Sequence, residues 1–468
     1  MKRRSNARLC IIVLMIAMAA LCAACTRAET PDGNAPIGDD PGSNAGQPDT
    51  NPSPVHDNNQ SGNMEEPTGN TEESSGEAPG DDAQPPAQEG GATNQPHGEA
   101  EADRILSAMQ VEDKLGQLLL VGMEGEQMNE QTAAMIREEH IGGLILYGPN
   151  VVSAAQTAAL TRSLQEANQD NPLPLWISVD EEGGRVSRLP DAIGKLPAAR
   201  EIGGAEDPAW TRRLGAALGQ TLGALGLNMD FAPVLDVDSN PDNPVIGDRS
   251  YGTDPDEVAA QGIAMMEGLH EAGVAAVVKH FPGHGDTATD SHLGLPVLTH
   301  DMDRLRRVEL APFARAIAQG ADAVMVAHLL LPALDDTYPS SLSPRIIGEL
   351  LREDMGFEGV VITDDMTMGA IGQYGEIGEA AVQALIAGAD LVLVGHGAEL
   401  QRQVLAALEQ AYADGTLTDA MLEDKLKRII ALKQNYARTG VAPAADPDTE
   451  ALAERLRAAL ATRDAAVD

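Results

Sequence analysis

The chain has 468 residues and sets 72 acidic side chains against 32 basic ones, a formal net charge of −40. A protein held to a phosphate backbone needs a basic stripe, so nucleic acid is excluded as an expected partner. Aromatic residues are 3% of the chain and apolar residues 43%. The core must therefore be built from Ala, Val, Leu, Ile and Met, and a sugar-binding surface paved with Trp and Tyr is not available.

The first 24 residues read as a targeting signal. Lys2, Arg3, Arg4 and Arg8 precede an apolar run from Leu9 to Leu21, and small residues follow it. That run is too short to span a bilayer, and the order basic, apolar, small is that of a secretory signal. The Ala23-Ala24-Cys25 ending resembles a bacterial lipoprotein signal, which implies a lipid on Cys25 as the first mature residue; plain cleavage and secretion is the alternative. Cys10 and Cys22 fall inside the signal and no cysteine follows Cys25. Disulfides and Cys-ligated metals are thereby excluded. The expected location is extracytoplasmic, at the cell membrane through this anchor.

Residues 25–100 should form a disordered tether. Residues 26–100 hold 15 acids, one base (Arg27), 11 Pro, 11 Gly and no Phe, Trp or Tyr. Such a segment buries too little apolar surface to offset its ordering entropy, and like charges and prolines extend it.

From Glu101 the pattern alternates. Apolar, β-rich runs recur at Gln117–Gly122, Gly143–Tyr147, Leu175–Val179, Met229–Leu235, Ala275–Val278, Ala323–Ala327, Gly359–Thr363 and Leu391–Val394. Nearly continuous apolarity marks parallel strands covered on both faces. Helical stretches lie between them, at Val152–Asn168, Trp210–Leu225, Asp256–Ala272, Met302–Ala318, Pro344–Asp354 and Gly375–Ala387, several ending at a glycine. Eight strands each followed by a helical stretch predict an α/β fold, a (β/α)8 TIM barrel over residues 101–440, with a linker and one more helix over 441–468. An open doubly wound sheet is the alternative.

Polar residues favour the barrel. Asp180, Asp236, Lys279 with His280, His328, Asp364 and His396 each follow a different apolar run. In a barrel those strand ends converge on one rim, where barrel enzymes keep their sites. The segment Lys279-His280-Phe281-Pro282-Gly283-His284-Gly285-Asp286-Thr287-Ala288-Thr289-Asp290-Ser291-His292 is too rich in Gly and turn residues to continue as a helix and reads as a mobile loop over that rim. Asp290 and His292, two residues apart, can face the same side. A carboxylate beside an imidazole fixes its tautomer and stabilises its cation, as a proton shuttle near neutral pH requires. A zinc site of His280, His284, Asp286 and His292 is the other use of these residues, but their spacing is not that of a helix-borne His pair. No metal or other cofactor is expected.

Five motifs in order, Val179-Asp180-Glu181-Glu182-Gly183-Gly184-Arg185-Val186-Ser187-Arg188, Asn228-Met229-Asp230-Phe231-Ala232-Pro233-Val234, Gly247-Asp248-Arg249-Ser250, the Lys279–His292 run and Thr363-Asp364-Asp365-Met366, resemble the β-N-acetylglucosaminidases of glycoside hydrolase family 3 over roughly residues 104–435. Glu181 departs from the pattern, since many relatives have Gln there. The resemblance implies a retaining hydrolysis in which Asp364 is the nucleophile, His292 the acid/base and Asp290 its orienting partner, while Asp365 holds the loop. It implies sugar contacts from Asp180, Arg188, Arg249, Lys279 and His280, with His328 on the same floor or in the core. Arg185 and Glu182 are expected to brace their loop through a salt bridge, and Gly183-Gly184 to permit its tight turn. Only about 30 residues follow Ala437, so the proton donor is expected within the barrel.

The function these residues imply is removal of terminal β-linked N-acetylglucosamine, from peptidoglycan fragments, by a monomer. Two other readings remain at this stage. A His acid/base tolerates an approaching phosphate better than a carboxylate does, which admits a phosphorolytic β-N-acetylglucosaminidase. A non-catalytic muropeptide-binding surface lipoprotein is the second, although a binding protein has no need of a nucleophile.

Overall fold

The structure, a computed structural model, describes residues 96–291, 294–437 and 443–463. The signal, Cys25, the tether up to residue 95 and His292 lie outside the described residues. No helix among the described residues is long and apolar enough to cross a membrane.

Eight parallel strands form one sheet: β1 (Leu119–Gly122), β2 (Gly143–Ile145), β3 (Trp176–Val179), β4 (Met229–Asp230), β5 (Ala275–Phe281), β6 (Ala323–Val326), β7 (Val360–Thr363) and β8 (Val392–Val394). Each pairs with the next in sequence, β1 pairs with β8, and a parallel bridge Ile362↔Leu391 joins β7 to β8. The sheet therefore closes on itself, and with a helix after every strand this is the (β/α)8 barrel that the alternation of apolar runs predicts. All eight strands are buried along their whole length, which is why they read as unbroken apolar runs rather than as alternating ones.

The surrounding helices start where the sequence supplies caps. Asp207 accepts from Trp210 N at 2.9 Å and Asp254 from Asp256 N at 2.8 Å, each followed by a proline at the first helical position. The helix Ile377–Ala387 ends at Gly388, whose φ of 118° is open only to glycine. The single helix expected at Met302–Ala318 is two, Met302–Arg307 and Ala311–Ala318. Pro312 is the cause: it has no N–H to offer the preceding turn and begins a new helix instead.

Two strands differ in extent from their apolar runs. Regular pairing in β4 stops at Asp230, and Pro233, lacking an N–H, can only accept, taking Lys279 N at 3.1 Å. Lys279 and His280, expected just beyond β5, are residues of β5 itself. An apolar criterion cannot extend a strand over charged residues that are buried because they have partners.

The two ends of the barrel are built differently. At the N-terminal end Lys433 is fully buried and donates to Gln117 Oε1 (2.7 Å), Gly142 O (2.8 Å) and Pro174 O (2.6 Å). Burial pushes its amine well below the usual lysine range. Nearby Asp390, with no exposed surface, accepts from Arg352 (2.6 Å), Arg428 Nε (3.0 Å) and Val361 N (2.8 Å). Removing this carboxylate takes from two partly buried guanidinium groups the acceptor they share. Asp390→Ala is expected to cost about 3–5 kcal/mol, visible as a lowered urea midpoint at unchanged slope. This end is closed by structure, which leaves the C-terminal rim for chemistry.

Candidate active site

Charged side chains from four strand ends meet at that rim. Lys279 on β5 is 2% exposed, and its Nζ lies 2.7 Å from Asp180 Oδ1 and 2.7 Å from Glu182 Oε1. Glu182 also accepts a two-pronged pair from Arg249, Nε to Oε2 and NH2 to Oε1, both at 2.7 Å. Arg249 NH2 reaches His280 Nε2 at 3.3 Å, and His280 Nδ1 lies 2.6 Å from Asp236 Oδ2. The ring therefore donates from Nδ1 to Asp236 and accepts at Nε2. Arg188 stands 3.8 Å from Asp180 Oδ2.

The network keeps Lys279 and Glu182 charged. Burial alone would lower Lys279, but Asp180 and Glu182 outweigh it and hold the ammonium above its ordinary value. Burial would likewise raise Glu182, and Lys279 and Arg249 hold it well below the usual carboxylate range instead. Fixed charges at buried positions make short, strong bonds to hydroxyl groups.

Asp364 follows β7 directly and its N–H donates to Val326 O on β6 at 2.9 Å, which locks the start of the loop to the barrel. Its side chain is half-buried, and Oδ1 accepts from Asp365 N at 2.8 Å. Burial pushes this carboxyl up; the imidazoles of His328 and His280, the Asp365 N–H and Lys279 outweigh that push and hold it below the usual range. It is an ionised, accessible carboxylate. Asp365 is committed to the backbone: Oδ1 accepts from Gly395 N (2.9 Å) and Thr367 N (3.0 Å), tying the β7 loop to β8. His328 is fully buried, with Nδ1 at 2.7 Å from Ser341 Oγ and Nε2 at 3.1 Å from Asp365 O. It supports the loop that follows β7.

The loop after β5 is anchored at its root. Asp236 Oδ1 accepts from His284 N at 2.6 Å, and Asn243 Nδ2 donates to His284 O (2.9 Å) and Gly285 O (3.1 Å). Asp290 lies on the part that is half-exposed, and its carbonyl accepts from Gly294 N at 3.1 Å. His280 and His284, two of the four residues weighed as a zinc set, have their rings 6.0 Å apart and already hydrogen-bonded. Among the described residues the one group with ligand atoms close enough for a metal is Asp286, His300 and Glu309, within 4.8 Å of one another. Arg304 lies 2.9 Å from Glu309 Oε1 and 3.4 Å from Asp286 Oδ2, so a resident guanidinium already balances those carboxylates.

This geometry meets a clear match in known proteins. The model of the glycosyl hydrolase family 3 N-terminal domain matches residues 110–432. The chain belongs to glycosyl hydrolase family 3. It is a glycoside hydrolase of the β-N-acetylhexosaminidase group: β-hexosaminidase LpqI of Mycobacterium tuberculosis is 39% identical over 345 residues, 72% of this chain and 86% of that protein. Beta-hexosaminidase A of Pseudoalteromonas piscicida is 36% identical over 327 residues, 65% of this chain, and the chain spans 55% of that protein's length. The structure of a family 3 β-N-acetylglucosaminidase from Paenibacillus sp. is 42% identical with a TM-score of 0.70, covering 75% of this chain and 69% of that one.

Within this family 3 hydrolase several rim residues differ from their sequence reading. Glu182 and Arg185 do not pair with each other. Glu182 faces inward to Lys279 and Arg249, whereas Arg185 turns outward to Asp248 Oδ1 (2.9 Å) and Ile246 O (2.9 Å). The glycines between them allow this parting: Gly183 has φ 81°, and a Cβ there would stand 2.6 Å from Pro197 O. Two further residues carry no assigned role in the sequence reading. Asp236 is legible as a polar strand end, and its role as the acceptor for His280 emerges only in three dimensions. Tyr147, just beyond β2, stacks on His396 at 4.5 Å and sends its hydroxyl toward Asp365 Oδ2 at 3.4 Å.

Glu181, the departure from the family pattern, has no exposed surface. Its Oε2 accepts from Ser187 Oγ (2.9 Å), Arg188 N (2.6 Å) and Leu189 N (3.0 Å), while Oε1 has no partner. Asp230, equally buried, accepts from Glu181 N at 2.9 Å and leaves Oδ2 unpartnered. Burial raises both carboxyls, Asp230 further through the charge of Glu181. A raised carboxyl contributes stability below its unfolded pKa and loses it as pH rises through the folded value. A Gln at 181 would keep the Oε2 bonds, titrate nothing and remove the charge that acts on Asp230. Glu181→Gln is therefore expected to match the parent's stability near pH 4 and to exceed it at pH 8 by on the order of 1–2 kcal/mol, measured by thermal unfolding at the two pH values.

Proposed function

We propose that this enzyme is a retaining, exo-acting β-N-acetylglucosaminidase that removes terminal non-reducing N-acetylglucosamine from peptidoglycan fragments. The observation that carries the reading is Asp364: an accessible carboxylate kept ionised at the end of β7, in the electrostatic field of the same Lys279 and His280 that belong to the hydroxyl-binding network. Asp180, Arg188, Arg249, Lys279 and His280 hold the sugar. Asp364 attacks C1 and the glycosidic oxygen departs with a proton from His292, leaving a glycosyl ester. His292 then takes a proton from water, whose oxygen attacks C1 and frees Asp364. Asp290 orients the imidazole and stabilises its cation.

The same reading places the enzyme outside the cytoplasm, held to the membrane by a lipid on Cys25, with the acidic residues 26–100 spacing the barrel from the surface. The deciding assay uses an aryl N-acetyl-β-glucosaminide with and without phosphate, with products identified. Release of free N-acetylglucosamine in both conditions supports hydrolysis. A sugar 1-phosphate formed in phosphate would replace hydrolysis with phosphorolysis, and no turnover would leave only a binding role.

A further inference from the structure

The proton-transfer pair proposed above flanks Ser291, and Ser291 is the residue the barrel grips. It is 2% exposed; its Oγ lies 3.2 Å from His284 Nε2, and its carbonyl accepts from Ala370 N at 3.2 Å on the loop that follows Asp364. One residue thus links the β5 loop both to the site's interior and to the nucleophile's loop.

His284 is placed to be the fixed end of that link. It is 1% exposed, its N–H is held by Asp236 (2.6 Å) and its carbonyl by Asn243 (2.9 Å). Its Nδ1 lies 2.7 Å from Thr287 Oγ1, which leaves Nε2 for Ser291. Burial pushes its imidazole down to about 4, so near neutral pH the ring has one donor and one acceptor nitrogen, and a hydroxyl can complement either. The reaction gives His284 no step: its hydrogen bonds go to Asp236, Asn243, Thr287 and Ser291.

We propose that His284, through the Ser291 hydroxyl, is the positioning residue that sets Asp290 and His292 for proton transfer to the glycosidic oxygen. This rests on the assignment of Asp290 and His292 in the proposed function. A buried side chain kept only for stability would affect every substrate alike. A positioning residue for the acid affects only those whose leaving group needs a proton.

The test compares kcat/KM for an activated aryl and for an alkyl N-acetyl-β-glucosaminide, since this ratio reports the first, bond-breaking step. In Ser291→Ala and His284→Phe the alkyl value is expected to fall about tenfold, the scale of one buried hydrogen bond, with the aryl value held within about twofold. His284→Gln, whose amide can reach the place of Nε2, should recover most of the loss. Ser291→Ala removes only a hydroxyl and keeps the test alive if His284→Phe fails to fold. Equal losses on both substrates would overturn the proposal. So would an unchanged alkyl rate in Ser291→Ala alongside a His292→Ala variant that keeps its leaving-group dependence. A His292→Ala variant with no such dependence would instead overturn the acid/base assignment, and this inference with it.

Discussion

Asp364→Ala is expected to lower turnover of an aryl N-acetyl-β-glucosaminide by roughly 10⁴-fold or more, while unfolding stays cooperative with a near-parental midpoint. The two halves of this expectation have separate causes. In the proposed reaction a carboxylate oxygen of Asp364 bonds to C1, and the charges that keep it ionised cannot act in its place. Structurally it is cheap to lose, because its Oδ1 accepts from the next residue's own N–H, a bond that ties no second element down. Asp365 is the reverse case. Its oxygens hold Gly395 N and Thr367 N, so removing it unties the β7 loop from β8 and should show first as lost stability. A slow substrate incubated with the parent enzyme should add one glycosyl mass to the peptide bearing Asp364, and the Ala variant should show none. Parental rates in Asp364→Ala would refute the nucleophile assignment outright.

The fold was legible because its strands are covered on both faces. Trp176–Val179 and Val360–Thr363 have no exposed residue, so neither shows polar alternation and both stand out as apolar runs between helical stretches. The same rule fails where burial is earned through charge pairing. Lys279 is as deeply buried as its apolar neighbours, yet only its contacts with Asp180, 99 residues away, and with Glu182 make that tolerable. No local pattern reports such a pair. Glu182 illustrates the cost of local reasoning: Arg185, three residues on, is the obvious partner in sequence, but the turn at Gly183 and Gly184 sends the two apart and Glu182 binds Arg249, 67 residues away. Pro312, by contrast, was a visible stop within the expected helix. The convergence of Asp180, Asp236, Lys279, His280 and Asp364 on one rim followed from strand ends alone. Which of them touches which followed from the structure, and the assignment of chemical roles rests on the resemblance to the family together with the ionisation of Asp364.

His292→Ala is expected to lower kcat/KM for alkyl and oligosaccharide substrates by about 10²–10⁴-fold and to change the value for an activated aryl substrate little, because a good leaving group departs without a proton. Three of the described histidines of the rim are otherwise engaged. His280 holds Asp236 and accepts from Arg249, His284 holds Thr287 and Ser291, and His328 lies buried between Ser341 and the Asp365 carbonyl. The pH profile carries the sign of the role. Asp364 must be ionised to attack, and since its carboxyl is held below the usual range, the acid limb of kcat/KM lies below that of an ordinary carboxylate. An acid must carry its proton, so activity on poor leaving groups falls as pH rises through the pKa of His292, giving a bell. In His292→Ala the alkaline limb should vanish while the acid limb stays in place. A residue that merely held the loop would lower the bell without opening it on one side. Equal losses on both classes of substrate, with the bell intact, would remove His292 from proton transfer.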